Sequence, residues 1–160
     1  MAFACVRTDN LSGTVHGKDL FSLRYSADIE NGNILAVGAH EPGEREIRAA
    51  AAPGEDTPLS SLALVASEEF MKESKAATDF LSDFINKAGS IIRGYRLVPG
   101  DIFSVTKEAF ASGGDTAAVG QVAFVDSSTK MSLAATAATD SVTIGKVILL
   151  EKEWIVIEVA

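Results

Sequence analysis

Residues 78–106, TDFLSDFINKAGSIIRGYRLVPGDIFSVT, carry the clearest structural pattern in the chain. Phe80, Leu81, Phe84, Ile85 and Ala88 fall at the i, i+1, i+4, i+5, i+8 spacing of a helix with one apolar face. Thr78 is placed to cap the first turn, and Asp79 puts negative charge where the helix dipole favours it. Asp83 and Lys87 stand four apart in the order that favours an ion pair, and Gly89 marks a left-handed stop. The pattern predicts one amphipathic helix over about 78–88, then strands over 90–98 and 101–106. Pro99-Gly100 suits the two central positions of a type II turn. The twist of that turn fits a corner between sheets as readily as a flat hairpin.

No other segment has such a helical stripe, so the remainder reads as β. Asn31-Gly32 is a turn signal, and the bland reading of its surroundings is a solvated turn. Apolar strands are predicted at 34–38 and 59–66, separated by the Glu41-Pro42-Gly43-Glu44 turn, by Arg45-Glu46-Ile47-Arg48 and by a run of alanines. Val119-Gly120-Gln121-Val122 and Ile144-Gly145-Lys146-Val147 open two apolar runs in the same way. Glycine inside a strand marks a bulge or a tight bend, so the pair suggests a sheet that curls on itself. Residues 154–159 form a last strand. The expected fold is mainly β (α+β): a compact bent sheet or small β-barrel with one amphipathic helix. Residues 1–27, polar and rich in turn formers, read as an extended N-terminal arm, and residues 28–160 as a single β-rich domain. An arm that reaches a neighbouring subunit and a strand docked on its own sheet are equally compatible with these residues.

Net charge is −8 and the pI is about 4.7, which argues against a nucleic-acid partner, since phosphate contacts need clustered Lys and Arg. Within 85–107, however, Lys87, Arg93, Arg96 and Lys107 face only Asp101. This basic island suits an acidic partner, although charge at strand edges also serves simply to block edge pairing. A lone cysteine, Cys5, forms no intrachain disulfide and no thiolate metal site. No apolar run is long enough for a signal peptide or a bilayer span, so the expectation is folding in a reducing compartment without a membrane.

Chemistry is sparse. His16 and His40 lack a recognised metal-ligand spacing, and no G-x-S-x-G elbow singles out a serine for a hydrolase triad. Asp28-Ile29-Glu30-Asn31-Gly32 alternates oxygens before a glycine, like the start of a calcium loop, but lacks the closing bidentate glutamate. The expectation is therefore no enzyme, no catalytic residue, no cofactor and no metal.

The combination ADIENGNILAVG, GEREIRAA, DFINKAGSIIRGYRLVPGDIFSVT, VGQVAFVD and a final IVIEV strand resembles the head auxiliary, or capsid decoration, proteins of tailed bacteriophages. The resemblance runs from about Asp28 onward, and its most telling part is the helix-to-strand block ending in Gly-Asp-Ile-Phe-Ser-Val-Thr. It implies a small, non-enzymatic virion protein made in the host cytoplasm. Such a protein binds the major capsid protein on the outside of the shell, often as a homotrimer, and cements it. No functional residue carries over position by position. From the arm and the basic island, the candidate partner contacts are Phe3, Arg7, His16, Leu20, Phe21, Arg24, Arg93 and Arg96. The alternative is a lectin-like or receptor-binding β-module, which calls for an exposed aromatic pair; Trp154 and Tyr95 both lie in expected strands.

Overall fold

The structure, a computed structural model, describes residues 2–69 and 81–160. Its strands are β1 (Val6–Asn10), β2 (Leu20–Arg24), β3 (Ile34–His40), β4 (Ile47–Ala51), β5 (Leu62–Val65) and β6 (Ile91–Arg96). They continue with β7 (Ile102–Thr106), β8 (Phe110–Ser112), β9 (Val122–Val125), β10 (Met131–Ala134), β11 (Val142–Glu151) and β12 (Trp154–Val159). Two sheets result. Strands β2-β4-β3-β5-β6 close into a barrel, and β1-β7-β12-β11-β9-β10-β8 form a seven-stranded sheet. Adjacent strands run antiparallel except β2 with β4 and β8 with β10. The protein is mainly β, as the turn-punctuated apolar runs predict.

Strand alternation builds two cores from one set of residues. Leu62 and Leu64 of β5 face outward from the barrel and join Ile34, Tyr95 and Leu97 against Phe103, Val105, Val125, Ile144 and Ile157 of the sheet. Ala63 and Val65, the alternate residues of β5, face into the barrel with Leu23, Leu35 and Ile92. All four β5 residues are therefore buried, which is why that strand reads as an unbroken apolar run.

The Pro99-Gly100 corner is the hinge of this arrangement. Gly100 has φ +92°, the left-handed value that the third position of a type II turn demands. Strand β6 before it belongs to the barrel and β7 after it to the sheet, so the turn passes the chain between sheets and makes no hairpin.

The predicted amphipathic helix is not formed. Thr78–Phe80 lie outside the described residues; of the rest, only Leu81–Asp83 make a turn of 3-10 helix. Leu81, assigned to the buried stripe, is 57% exposed, whereas Asn86, outside the stripe, is buried. The backbone of Asn86 exchanges hydrogen bonds with Ile29 (2.9 and 3.0 Å), and its side-chain nitrogen donates to Ile29 O at 3.1 Å and to Asn31 Oδ1 at 3.1 Å. Asp28 then accepts from the Ala88 amide at 2.8 Å and pairs with Lys87 at 3.0 Å, taking the lysine that the helix would have paired with Asp83. Long-range pairing with 28–31 outweighs a marginal local propensity.

The extended N-terminal arm also needs correction. Strand β1 pairs with β7, β2 pairs with β4 and β6, and Ala4, Cys5, Leu11 and Leu23 are buried in the body of the same chain. Among the described residues, β1 is thus an edge strand of its own chain's sheet, bonded on one side to β7.

Asn31-Gly32 is a turn, as expected, but a buried one. Asn31 is 1% exposed; it donates to Ser67 O and Glu69 and accepts from the Ser67 amide and Asn86. The neighbouring carboxylates are equally engaged, because Glu30 binds the Ala4 amide at 3.0 Å and Lys130 at 3.0 Å. The oxygens that resembled a calcium loop thus tie the N-terminus, the 86–88 segment and Lys130 together.

Candidate interaction surfaces

The first surface starts at β11, the longest strand. Its first half pairs with β9 only as far as Lys146 opposite Val122, with Val147 adding bonds to Gly120 and Gln121. From Ile148 to Glu151, among the described residues, β11 is paired on one side only, by β12. A register shift between Val147 and Leu149 marks a bulge there. Ile148, Leu149 and Leu150 are 38%, 52% and 40% exposed, and Val119 beside Gly120 is exposed as well. Three consecutive apolar residues on an unpaired edge are the feature that soluble proteins usually suppress.

Leu150 continues into a groove of about 760 Å³, whose apolar wall is Phe3, Cys5, Leu81, Leu150 and Trp154. Lys107, Glu108, Asp115, Lys152 and Glu153 give it a mixed-charge rim. Lys107 pairs with Asp115 at 2.7 Å, and that carboxylate holds the ammonium above its ordinary pKa. Burial pushes the Cys5 thiol up, and Glu69, Glu108 and Glu153 push it further, so at neutral pH it is a protonated, weakly nucleophilic group.

The second surface is one rim of the barrel, where β2, β4 and β5 begin and β3 and β6 end. Phe21 packs at the edge of the barrel core. The guanidinium carbon of Arg48 lies 5.6 Å from its ring centroid and that of Arg96 lies 5.1 Å from it, both within cation–π range. Arg96 approaches the buried Asp19 through Nε at 3.6 Å, too far for a hydrogen bond.

These positions sort the candidates named from the sequence. Phe21 and Arg96 come together. Arg93 lies three residues from Arg96 on β6, hence on the opposite face, and pairs with Glu68 at 3.0 Å. Arg24 pairs with Glu41. Phe3 lines the groove, while Arg7 stacks on Trp154 at 5.1 Å and reaches Glu151 at 3.4 Å and Asp9 at 3.6 Å. Leu20 is half-buried opposite Tyr95, and His16 is exposed between two 3-10 turns. The basic island is therefore dispersed across faces. Missing from the candidate set were Arg48, which a linear count of charge in 85–107 leaves out, and Ile148–Leu150. The run of three large apolar residues was legible; that β9 would stop short of it was not.

Trp154 carries Arg7 on its ring and Tyr95 is buried, so these two make no exposed aromatic pair. Among the described residues no group of three or more His, Cys, Asp and Glu side chains is placed to hold a metal, and no helix is long and apolar enough to cross a membrane. No family model matches the chain, and neither the curated proteins nor the solved structures compared with it give a match.

Proposed function

We propose that this chain is a non-enzymatic virion structural protein that binds the outside of an assembled phage capsid through the major capsid protein and cements the shell. The observation that carries the reading is the apolar surface along the free half of β11, continuous with the Phe3–Trp154 groove. Contiguous exposed apolar surface bordered by charge is characteristic of protein–protein contacts. The sequence resemblance supplies the kind of partner. A protein that binds the assembled lattice and not its free subunits stabilises the lattice by mass action, with no chemistry of its own.

The test is co-sedimentation with assembled shells against free capsid subunits. The protein is expected in the shell pellet and absent from the subunit fraction; equal recovery with both removes the cement reading. Leu149→Lys is expected to lower shell affinity about tenfold or more, since burying a leucine contributes roughly 1.5–3 kcal/mol.

A further inference from the structure

We infer that the barrel rim formed by Arg48, Phe21 and Arg96 is a docking point for an acidic protein segment, engaged by its Asp or Glu side chains. The inference rests on the shell-binding reading and names what the shell would contribute there.

Three observations converge on an anionic partner. Two guanidiniums lie against one phenyl ring, an attraction that holds them near it without neutralising their charge. Arg48 has no carboxylate within 4 Å among the described residues, unlike Arg7, Arg24, Arg93 and Arg96. Arg96 approaches Asp19 through Nε at 3.6 Å without a hydrogen bond, and no hydrogen bond from its guanidinium is formed within the described residues. The rim therefore presents guanidinium donors held in place and short of acceptors. Acids do stand nearby: Glu41 is taken by Arg24, while Glu44 and Glu46, in the turn between β3 and β4, come within 4 Å of neither guanidinium. Guanidinium forks match carboxylates in bidentate geometry, and a half-buried, aromatic-backed site strengthens the pairing over an open surface one.

Charge complementarity selects a protein acid over other occupants. A chain at −8 repels a polyanion such as nucleic acid over most of its surface. A short acidic loop needs to approach only this rim.

The experiment is a fluorescence-anisotropy titration of a labelled deca-glutamate peptide with the full chain, Arg48→Glu, Arg48→Gln, Phe21→Leu and Arg93→Glu, each checked for an unchanged circular dichroism spectrum. Wild type is expected to bind with an affinity that falls as salt is raised. Arg48→Glu is expected to lose tenfold or more, Arg48→Gln and Phe21→Leu less, and Arg93→Glu little, because it lies on the other face. No wild-type binding, equal losses in Arg48→Glu and Arg93→Glu, or displacement by inorganic phosphate at constant ionic strength would overturn the inference. The same variants in shell co-sedimentation separate the two claims. If wild type pellets with shells and Arg48→Glu pellets equally, the rim assignment fails while the cement reading stands. If wild type itself stays in the supernatant, the cement reading fails whatever the peptide does.

Discussion

Gly145 and Gly120 look equivalent in sequence and are held by different physics. A Cβ on Gly145 would stand 2.0 Å from the backbone oxygen of Glu158 in β12, a contact that nothing flexible can relieve. A Cβ on Gly120 meets nothing within 4 Å, but φ there is +92°. Gly145→Ala is accordingly expected to destabilise by ~3 kcal/mol or more through forced strand separation. Gly120→Ala is expected to cost only ~1 kcal/mol of backbone strain. Urea titration of both variants checks the order; a smaller loss at 145 than at 120 contradicts it. Gly145 lies inside a strand, as the pattern predicts, whereas Gly120 lies in the turn before β9 and not in a strand, so the expected matching bend is not formed there; the close approach at Gly145 comes from β12, which begins nine residues later.

At the scale of elements, the sequence was most readable where both faces of a strand are buried and least readable between Leu81 and Gly89. Strands β3, β6, β7, β11 and β12 follow from apolar runs bounded by Gly, Pro and Asn, and the sheet-to-barrel corner follows from Pro99-Gly100. The 81–89 stretch misled because its helical spacing is genuine; the partners that override it, Asp28, Ile29 and Asn31, lie more than fifty residues earlier. Asp28 makes this element pH-sensitive. The Ala88 amide, first, and then the Lys87 ammonium hold its carboxyl below the ordinary range. A depressed carboxyl stabilises the fold above its unfolded pKa, roughly 4, and that contribution disappears as pH falls through the lower folded value. Asp28→Asn is therefore expected to be less stable than wild type at pH 7, with the gap closing as pH falls below about 4; thermal melts across that range test it, and a constant gap counts against the tie.

Across the whole molecule, the barrel is inserted between β1 and β7, which are neighbours in the sheet. The chain leaves for the barrel after Asn10 and returns at Ile102, and the two crossings are clamped together by the buried Asp101, which accepts from the Ser12 amide at 3.0 Å and its hydroxyl at 2.7 Å. Asp101→Ala leaves the Ser12 amide and hydroxyl without that acceptor, a loss of about 1.5–3 kcal/mol. Calorimetry of this variant is expected to show a broadened or split transition as barrel and sheet uncouple, whereas one sharp transition at lowered Tm would mean that the shared core alone couples them. The candidate site was less legible than the fold because it is a property of this assembly. Phe21, Arg48 and Arg96 come from three strands that only barrel closure brings to one rim.

The placement of β1 and β12 on either side of β7 has a mechanical consequence. Both are antiparallel to β7 and hence parallel to each other, so the chain begins at one end of this three-stranded ladder and finishes at the other. Tension applied between the two termini loads the ladders in shear, with many hydrogen bonds sharing the force at once, instead of peeling them apart one by one. Pulling along that axis is therefore expected to meet far more resistance than pulling across it.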